Sequence, residues 1–523
     1  MGTAFSSAFL NGESRAVVML PDSFRRAADR ARCVERATRR STPPAVLEAL
    51  RADAQSPRQR TNLERLAEQG TAAVVTGQQV GLFLGPLYTL YKAASAVVTA
   101  RALEAETQRP VVPIFWLQSE DHDFDEVSTC WVWASDGTLQ RCSLVADASR
   151  ARCSIGSIQL GGGIEAALES LAGQLDSLPR AEHVFSLLKT HYRAPATWVE
   201  AFAGVLQALF AETGLLVIDP RRLASTPAVR QLHHWAFRDR AALGQRLVER
   251  HTELAHAGFE TQVHIRQHAP LFFFHPDGAD GPRFRLEEAA EAFHLVGSTE
   301  GPVTSETVNE ALERAPSAFS TSALLRPVLQ DTLFPTCATI VGPGELNYFA
   351  QLEPLYRSLG LDLPMVVPRA RFRVIDARTA AHLSHLGLSA ERVEAGESSA
   401  GTSIGFDESA IVDDLLAAFD ARVARVPSQE HHDVARALRR TRGTVERAAQ
   451  RLAGRVARAL RTRDEVARSR LERVRNVLLP HGEPQERVWS WPSVAARTGI
   501  DEFTHQLLGA ITPFAPDLKT LSI

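Results

Sequence analysis

Hydrophobic and polar positions change period several times along the chain, and each change marks an element. The first seventy or so residues predict helices rich in Arg, Ala and Glu after an irregular start. Ala72-Ala73-Val74-Val75-Thr76 is then a short apolar run with β-branched residues, the pattern of a buried strand. Gly77 to Gly85 predicts a loop. Pro86 suits the first helical position, because its missing N–H costs nothing there. A helix is predicted from Pro86 to about Glu106, and a second strand, VVPIFWL, over Val111 to Leu117. Strand, loop, helix and strand in close succession spell a right-handed βαβ crossover with parallel strands.

The alternation continues. Leu215 to Pro220 predicts a buried strand that ends in an acid, Asp219. Phe259 to His275, with Gln262, His264 and an LFFF run, reads as β-rich. Cys337 to Val341 predicts a strand that runs into Gly342-Pro343-Gly344-Glu345 and then a helix to about Leu359; Met365-Val366-Val367 is a further strand. Strands alternating with helices over residues 70–370 predict an α/β core with a parallel sheet. The β-rich pieces near 130–160 and 260–300 read as insertions into it.

From about Glu408 the pattern becomes helical throughout. Ile411, Leu415, Phe419 and Val423 form one stripe, closed by Pro427. No proline follows until Pro480. Leu438, Val445, Leu452, Val456, Leu460, Ala467, Leu471, Val474 and Leu478 recur between them at nearly heptad spacing. About fifty residues would extend roughly 75 Å, more than the shorter helix can cover. The expectation is an antiparallel helical arm over residues 405–480, set between a core of 1–404 and a C-terminal segment, 481–523, that returns to the core. The uncovered length of the arm needs a partner, so its end is expected to dimerise.

Composition narrows the function classes. The 523 residues are 45% hydrophobic and 23% charged, ordinary for a globular protein, and the net charge of -3 supplies no field to draw nucleic acid or acidic membrane. About fourteen arginines against five acids lie between His431 and Pro480, but without aromatic interleaving or a nucleic-acid-binding motif they read as the solvated face of a helical arm. Five scattered cysteines without a C-x-x-C pair argue against a disulfide framework or a structural zinc site and favour a reducing cytoplasm. The N-terminus lacks the basic and apolar regions of a signal peptide. Gly70 to Tyr91 is uncharged and long enough to span a bilayer, but Gly77, Gln78, Gln79, Gly81, Gly85 and Pro86 in its middle would leave broken backbone unsatisfied in lipid. Only three of the 58 basic residues are lysines: Lys92, Lys189 and Lys519. A lysine in so arginine-rich a chain marks a position where a compact ammonium is preferred.

Three segments carry candidate chemistry. Thr76-Gly77-Gln78-Gln79-Val80-Gly81-Leu82-Phe83-Leu84-Gly85-Pro86 joins a strand to a helix, so its amides can face an anion. The glycine spacing is neither G-x-G-x-x-G nor a Walker loop, and the turn reads equally as tight packing. Lys92, on the second turn of the following helix, can neutralise a phosphate or carboxylate there, or sit on the surface of an amphipathic helix. Glu120-Asp121-His122-Asp123-Phe124-Asp125-Glu126 follows the second strand. The carboxyl ends of parallel strands share one edge, so this acidic run and the Gly77 loop are expected to face one crevice. His122 can move a proton near neutrality, and the carboxylates can hold an ammonium or Mg²⁺. The alternative is an acidic solvated turn, and no metal-ligand spacing is present. Arg326, Gln330 and Asp331, followed by Gly342, Gly344, Glu345 and Tyr348, read as the second wall, with Arg326 able to grip a carboxylate or phosphate bidentately.

Four segments, TGQQVGLFLGPLYTLYKAASA, PIFWLQSEDHDFDEV, LLRPVLQDTLFPT with GPGELNYFAQLEPLY, and LLPHGEPQERV, stand in one order from about residue 70 to 490. Together they resemble the bacillithiol-biosynthesis cysteine ligases, the cysteine-adding BshC enzymes. The resemblance implies a Rossmann-like core with inserted connecting-peptide elements, akin to class I aminoacyl-tRNA synthetases and nucleotidyltransferases, and a coiled-coil arm that mediates a homodimer. It implies the last step of bacillithiol synthesis, the joining of cysteine to glucosaminyl-malate. Thr76 to Gln79 and Glu120 to Asp123 would then line the crevice. Val341 departs from the glycine expected before Gly342, and the first sixty residues match no part of the pattern. Amide formation needs an activated carboxylate, so ATP, with Mg²⁺, is the expected co-substrate. The glycine-turn amides, Lys92 and Arg326 would hold phosphates or the acyl oxyanion, Asp121 and Asp123 the cysteine ammonium, and His122 would take a proton from the attacking amine. A nucleotidyl or adenylyl transferase acting on another small substrate, or a coiled-coil scaffold whose core binds a nucleotide, would use the same features.

Overall fold

The computed structural model describes residues 4–145, 147–261, 263–290, 292–397, 407–426 and 432–523. Gln262, Pro427 and His431, used above, lie outside these residues. The chain forms two compact units: Met1–Val374 together with Gln485–Leu521, and Ile375–Pro484.

The first unit is built on a five-stranded sheet. Its strands are β1 (Ala72–Gln79), β2 (Val111–Gln118), β3 (Leu216–Ile218), β4 (Thr336–Val341) and β5 (Met365–Pro368). They lie in the order β5-β4-β1-β2-β3, and every pairing is parallel. Nearly every residue of β1, β2 and β4 is buried, as expected for strands covered on both faces. Helix α1 (Tyr88–Thr107) connects β1 to β2 and packs on both, as the βαβ pattern predicted.

β1 runs three residues further than its apolar run. Gly77, Gln78 and Gln79 pair with Trp116, Leu117 and Gln118, so the segment expected to be a loop begins only at Val80. Ladder bonds to β2 outweigh the weak strand propensity of Gly and Gln. The turn that follows is tight. Phe83 and Leu84 take left-handed backbone angles, with φ of 48° and 68°. A Cβ on Gly81 would stand 2.9 Å from the Gly85 Cα, so only glycine lets the turn close.

Two other expectations change. The helix after β4 is broken: α3 (Pro343–Phe349), after α2 (Leu325–Leu333), stops before a second helix, Glu353–Leu359. Among the described residues of the β-rich stretch from Phe259 to His275, only Phe272–Phe274 is a strand. That strand belongs to an antiparallel sheet in the order Phe319–Thr321, Phe272–Phe274, Phe284–Ala289, Ala292–Leu295 and Val303–Thr304. A hairpin of Thr129–Trp133 with Leu139–Ser143 forms the other insertion. All five cysteines are buried and free.

In the second unit, α4 (Glu408–Val423) runs antiparallel to α5 (His432–Leu478): Asp420 pairs with Arg442 at 2.9 Å and Glu408 with Arg461 at 3.1 Å. The buried seam is not the predicted leucine stripe. Ala449, Ala453 and Ala457 are buried with Leu416, while Leu415 and Leu452 are 42% and 50% exposed. Small side chains four apart let α4 approach closely and push the leucines to the flanks. The base of α5 is covered by its own chain. Leu471, Val474 and Leu478 pack with Leu383, Leu388 and Val393 from helices Ala377–Leu386 and Ala390–Glu394 and the loop between them. Covering that length therefore takes no second copy. Among the described residues, no helix is long and apolar enough to cross a membrane.

Candidate active site

The chain order places β2 and β3 on one side of β1 and β4 and β5 on the other. The order of strand addition therefore reverses between β1 and β4, and the carboxyl edge at such a switch is where α/β sheets hold ligands. A cleft of about 480 Å³ opens there. Thr76, fully buried, ties the two strands together by donating from Oγ1 to the Ile340 carbonyl at 3.0 Å. Gly77 lets β1 approach β2, since a Cβ would stand 2.8 Å from the Trp116 carbonyl oxygen.

Lys92 rises from α1 beneath this floor. Its Nζ donates to the Gly77 carbonyl at 2.8 Å and to Gln78 Oε1 at 2.9 Å, and it forms an ion pair with Glu345. The side chain is 4% exposed. Burial pushes the ammonium below the usual lysine range, and Glu345 pulls it part of the way back. All three donors are committed, so a compact ammonium joins the end of β1 to α3 across the switch. Glu345 also lies 3.7 Å from Arg326, which donates to the Tyr348 hydroxyl. Arg369, just after β5, is bidentate to Glu486 at 2.8 and 2.9 Å in the buried interior. Its Nε finds no acceptor among the described residues, and a Cβ on Gly342 would stand 3.6 Å from it. Lys92, Arg326, Arg369 and Arg487 thus make one wall cationic, with Glu345 and Glu486 as counter-charges.

The other wall is acidic. Glu120 accepts from the Thr321 amide at 3.0 Å and hydroxyl at 2.6 Å. Burial raises its carboxyl above the usual range, and the Thr321 bonds only partly offset this. Burial acts on Asp121 in the same sense, but the bond from His122, the Arg283 charge and the Gln79 amide outweigh it and hold that carboxyl well below the usual range. Gln79 Nε2 donates to both Asp121 and Glu126 at 2.8 Å. Among the described residues, no group of three His, Cys, Asp or Glu stands close enough to hold a metal ion.

The predicted residues divide into those that reach the cleft and those that do not. Gln78, Gln79, Lys92, Glu120, Asp121, Arg326, Gly342, Gly344, Glu345 and Tyr348 line it. Gly81 and Gly85 line an adjoining cavity. Thr76 and Gly77 shape the floor. Gln330 and Asp331 lie in the core, where Asp331 accepts from Gln330 at 3.1 Å and from the Tyr356 hydroxyl. His122 and Asp123 line a different pocket. His122 Nδ1 accepts from Arg283, and Asp123 caps the short helix Phe124–Val127. Sequence reasoning missed Tyr88, Phe273, Arg283, Thr321, Arg369 and Arg487. Tyr88 and Arg487 stood inside quoted motifs. Nothing local marked Phe273, Arg283 and Thr321, which the inserted sheet delivers.

A parallel sheet with a charged cleft at its switch point, on a chain that also carries a long helical arm, defines an enzyme with a Rossmann-like domain. Residues 18–370 match the domain described as "Bacillithiol biosynthesis BshC, N-terminal Rossmann-like domain", and residues 423–523 match "Bacillithiol biosynthesis BshC, C-terminal coiled-coil domain". The chain belongs to the BshC family and is a ligase. Relatives named "Putative cysteine ligase BshC" include one from Solibacter usitatus, 34% identical over 84% of this chain and 82% of its own. One from Koribacter versatilis is 33% identical over 85% and 83%, and one from Geobacillus thermodenitrificans 29% over 86% and 84%. A solved structure titled a putative arginyl-tRNA synthetase from Campylobacter jejuni aligns with 86% of this chain and 94% of its own, at a TM-score of 0.25 and 9% identity; at that score the likeness carries no argument.

Proposed function

We propose that the chain joins cysteine to glucosaminyl-malate by ATP-dependent activation of the cysteine carboxylate and amide formation, the last step of bacillithiol synthesis. One observation carries this reading: the cleft is lined both by the cations Lys92, Arg326, Arg369 and Arg487 and by the carboxylates of Glu120 and Asp121. A free amino acid is a zwitterion and needs both. Its ammonium pairs with the acidic wall, and its carboxylate faces the cations that also receive the phosphates of ATP. The orphaned Nε of Arg369 beside Gly342 suits an anion there. Mg²⁺ would enter with the nucleotide. Activation turns the carboxylate into an acyl phosphate or acyl adenylate, and the cationic wall stabilises the oxyanion that forms when the amine attacks.

His122 is not the base in this reading, because it lines another pocket and accepts a bond from Arg283. The arm is proposed to mediate a homodimer. The apolar side chains left exposed on it, Leu415, Leu452 and Val466 at 42%, 50% and 44%, support this. Sedimentation of the wild-type chain against L452E tests it, with a monomeric wild type as the overturning result. The reaction is tested by incubating the full chain with ATP, cysteine and glucosaminyl-malate and following the thiol conjugate by mass spectrometry. ATP turnover without conjugate would refute the ligase reading.

A further inference from the structure

A second chamber of about 440 Å³ adjoins the cleft, and the two share Gln78, Gln79, Tyr88, Glu126 and Arg487. A ligase that joins two molecules needs two subsites that meet where the bond forms. The zwitterion and the nucleotide phosphates account for the cleft alone.

The second chamber has its own chemistry. Trp131 and Arg141 stand directly opposite each other in the hairpin, and both line the chamber. Arg141 donates to Thr129 Oγ1 at 3.1 Å and makes no ion pair with any described residue. An indole beside an uncompensated guanidinium suits a ligand with an apolar ring face and a carboxylate. The far wall is fixed by the returning C-terminal segment: Leu87 donates to the Trp489 carbonyl at 2.7 Å, and Ser490 donates to the Trp131 carbonyl at 2.8 Å. Glu126 stands where the chambers meet, held by Gln79.

We propose that this second chamber is the acceptor subsite, which takes an amino sugar linked to a dicarboxylate, with Arg141 as its carboxylate anchor and Glu126 as the group that receives the amine proton. This rests on the ligase reading above. The acceptor enters as an ammonium. The Glu126 carboxylate takes one proton, and the freed nitrogen lone pair attacks the acyl carbon that the nucleoside triphosphate has activated. The C–N bond forms, the phosphate or nucleotide leaves with the electron pair of the broken C–O bond, and the second nitrogen proton passes to water. Placing the base at the junction lets one carboxylate hold the amine beside the acyl carbon.

Steady-state kinetics of the full chain, varying cysteine and glucosaminyl-malate in turn at saturating ATP, test the assignment. R141M is expected to raise the KM for glucosaminyl-malate by about tenfold or more while the KM for cysteine stays within about twofold, and R141K to recover part of the loss. E126Q is expected to lower kcat by about a hundredfold with little change in either KM. Calorimetric titration of glucosaminyl-malate into the nucleotide-free wild type should show binding that R141M weakens to the same degree. An unchanged acceptor KM in R141M, or a loss confined to cysteine, overturns the subsite and leaves the ligase reading standing. A wild type that forms no conjugate defeats both.

Discussion

Arg283 Nη2 donates to Asp121 Oδ1 at 3.0 Å, and its Nε donates to His122 Nδ1 at the same distance. A guanidinium just ahead of the Phe284–Ala289 strand thereby holds the acidic wall from 162 positions away. The Arg283 side chain is 6% exposed and Asp121 is 28% exposed. Removing one member of so covered a pair strands the other charge.

R283M and H122A should therefore behave differently. R283M is expected to destabilise the chain by about 3 kcal/mol, because Asp121 loses its cation and keeps only the Gln79 and His122 donors. It should also abolish most conjugate formation. H122A removes a ring that faces another pocket and should cost less than about tenfold in kcat/KM. Thermal melts read with initial rates check both. Near-complete loss in H122A would return His122 to the chemistry.

For Lys92, geometry decides against arginine. The ammonium is enclosed by the Gly77 carbonyl, Gln78 Oε1 and Glu345, and a planar fork is too large for that space. K92M leaves Glu345 with the Gly342 amide, at 2.9 Å, and with the more distant Arg326, at 3.7 Å, as its remaining cation. Both K92M and K92R are expected to lower the melting temperature and to reduce kcat/KM by about a hundredfold or more, measured at matched folded fraction. Wild-type kinetics in K92R would show that the shape of the cation does not matter.

The Arg369–Glu486 pair predicts a pH dependence. Burial opposes ionisation of Glu486, but the Arg369 charge and its two hydrogen bonds outweigh burial and hold the carboxyl below the usual glutamate range. A carboxylate depressed in the folded state stabilises above its unfolded pKa, about 4.3, and loses that contribution as pH falls through the folded value. Stability should therefore be flat near neutrality and fall below about pH 4. E486Q should be less stable than wild type at pH 7, with the gap narrowing on acidification. Urea denaturation between pH 3 and pH 7, followed in both proteins, checks the sign. A gap that widens at low pH would contradict the assignment.

How much of this was legible in the sequence depends on range. β1, α1 and β2 were legible because burial on both faces leaves continuous apolar runs, and the common carboxyl edge of parallel strands already brings Gln79 and Asp121 together. Lys92 was legible through scarcity. The assignment of chemistry to His122 was not secure, since residues adjacent in sequence after a strand point to different sides: Asp121 lines the cleft and His122 does not. Arg283 and Thr321 could not be found locally, because the antiparallel sheet that carries them is assembled by pairing whose register no periodicity states. The arm was recognisable as helical, but its seam was misplaced, because alanines at 449, 453 and 457 carry too little hydrophobic contrast to stand out against nearby leucines.

Two glycines separate packing from anion binding. A Cβ on Gly77 would meet the Trp116 carbonyl at 2.8 Å, a backbone atom that cannot give way without parting β1 from β2. G77A is expected to cost roughly 1–3 kcal/mol, with activity lost in proportion to folded protein. Gly342 differs. Its φ of -82° suits any residue, and a Cβ would find Arg369 Nε at 3.6 Å, Glu345 at 3.7 Å and Lys92 at 3.9 Å, all ordinary contacts. G342A should fold with a melting temperature within a few degrees of wild type. The added methyl would nevertheless occupy the space in front of the orphaned Arg369 Nε, where an anion is proposed to sit. The KM for ATP or for cysteine in G342A should rise by about tenfold at nearly unchanged stability. Unchanged kinetics would place the anion elsewhere along the cationic wall, whereas a large fall in stability would mean that the glycine serves the turn into α3 alone.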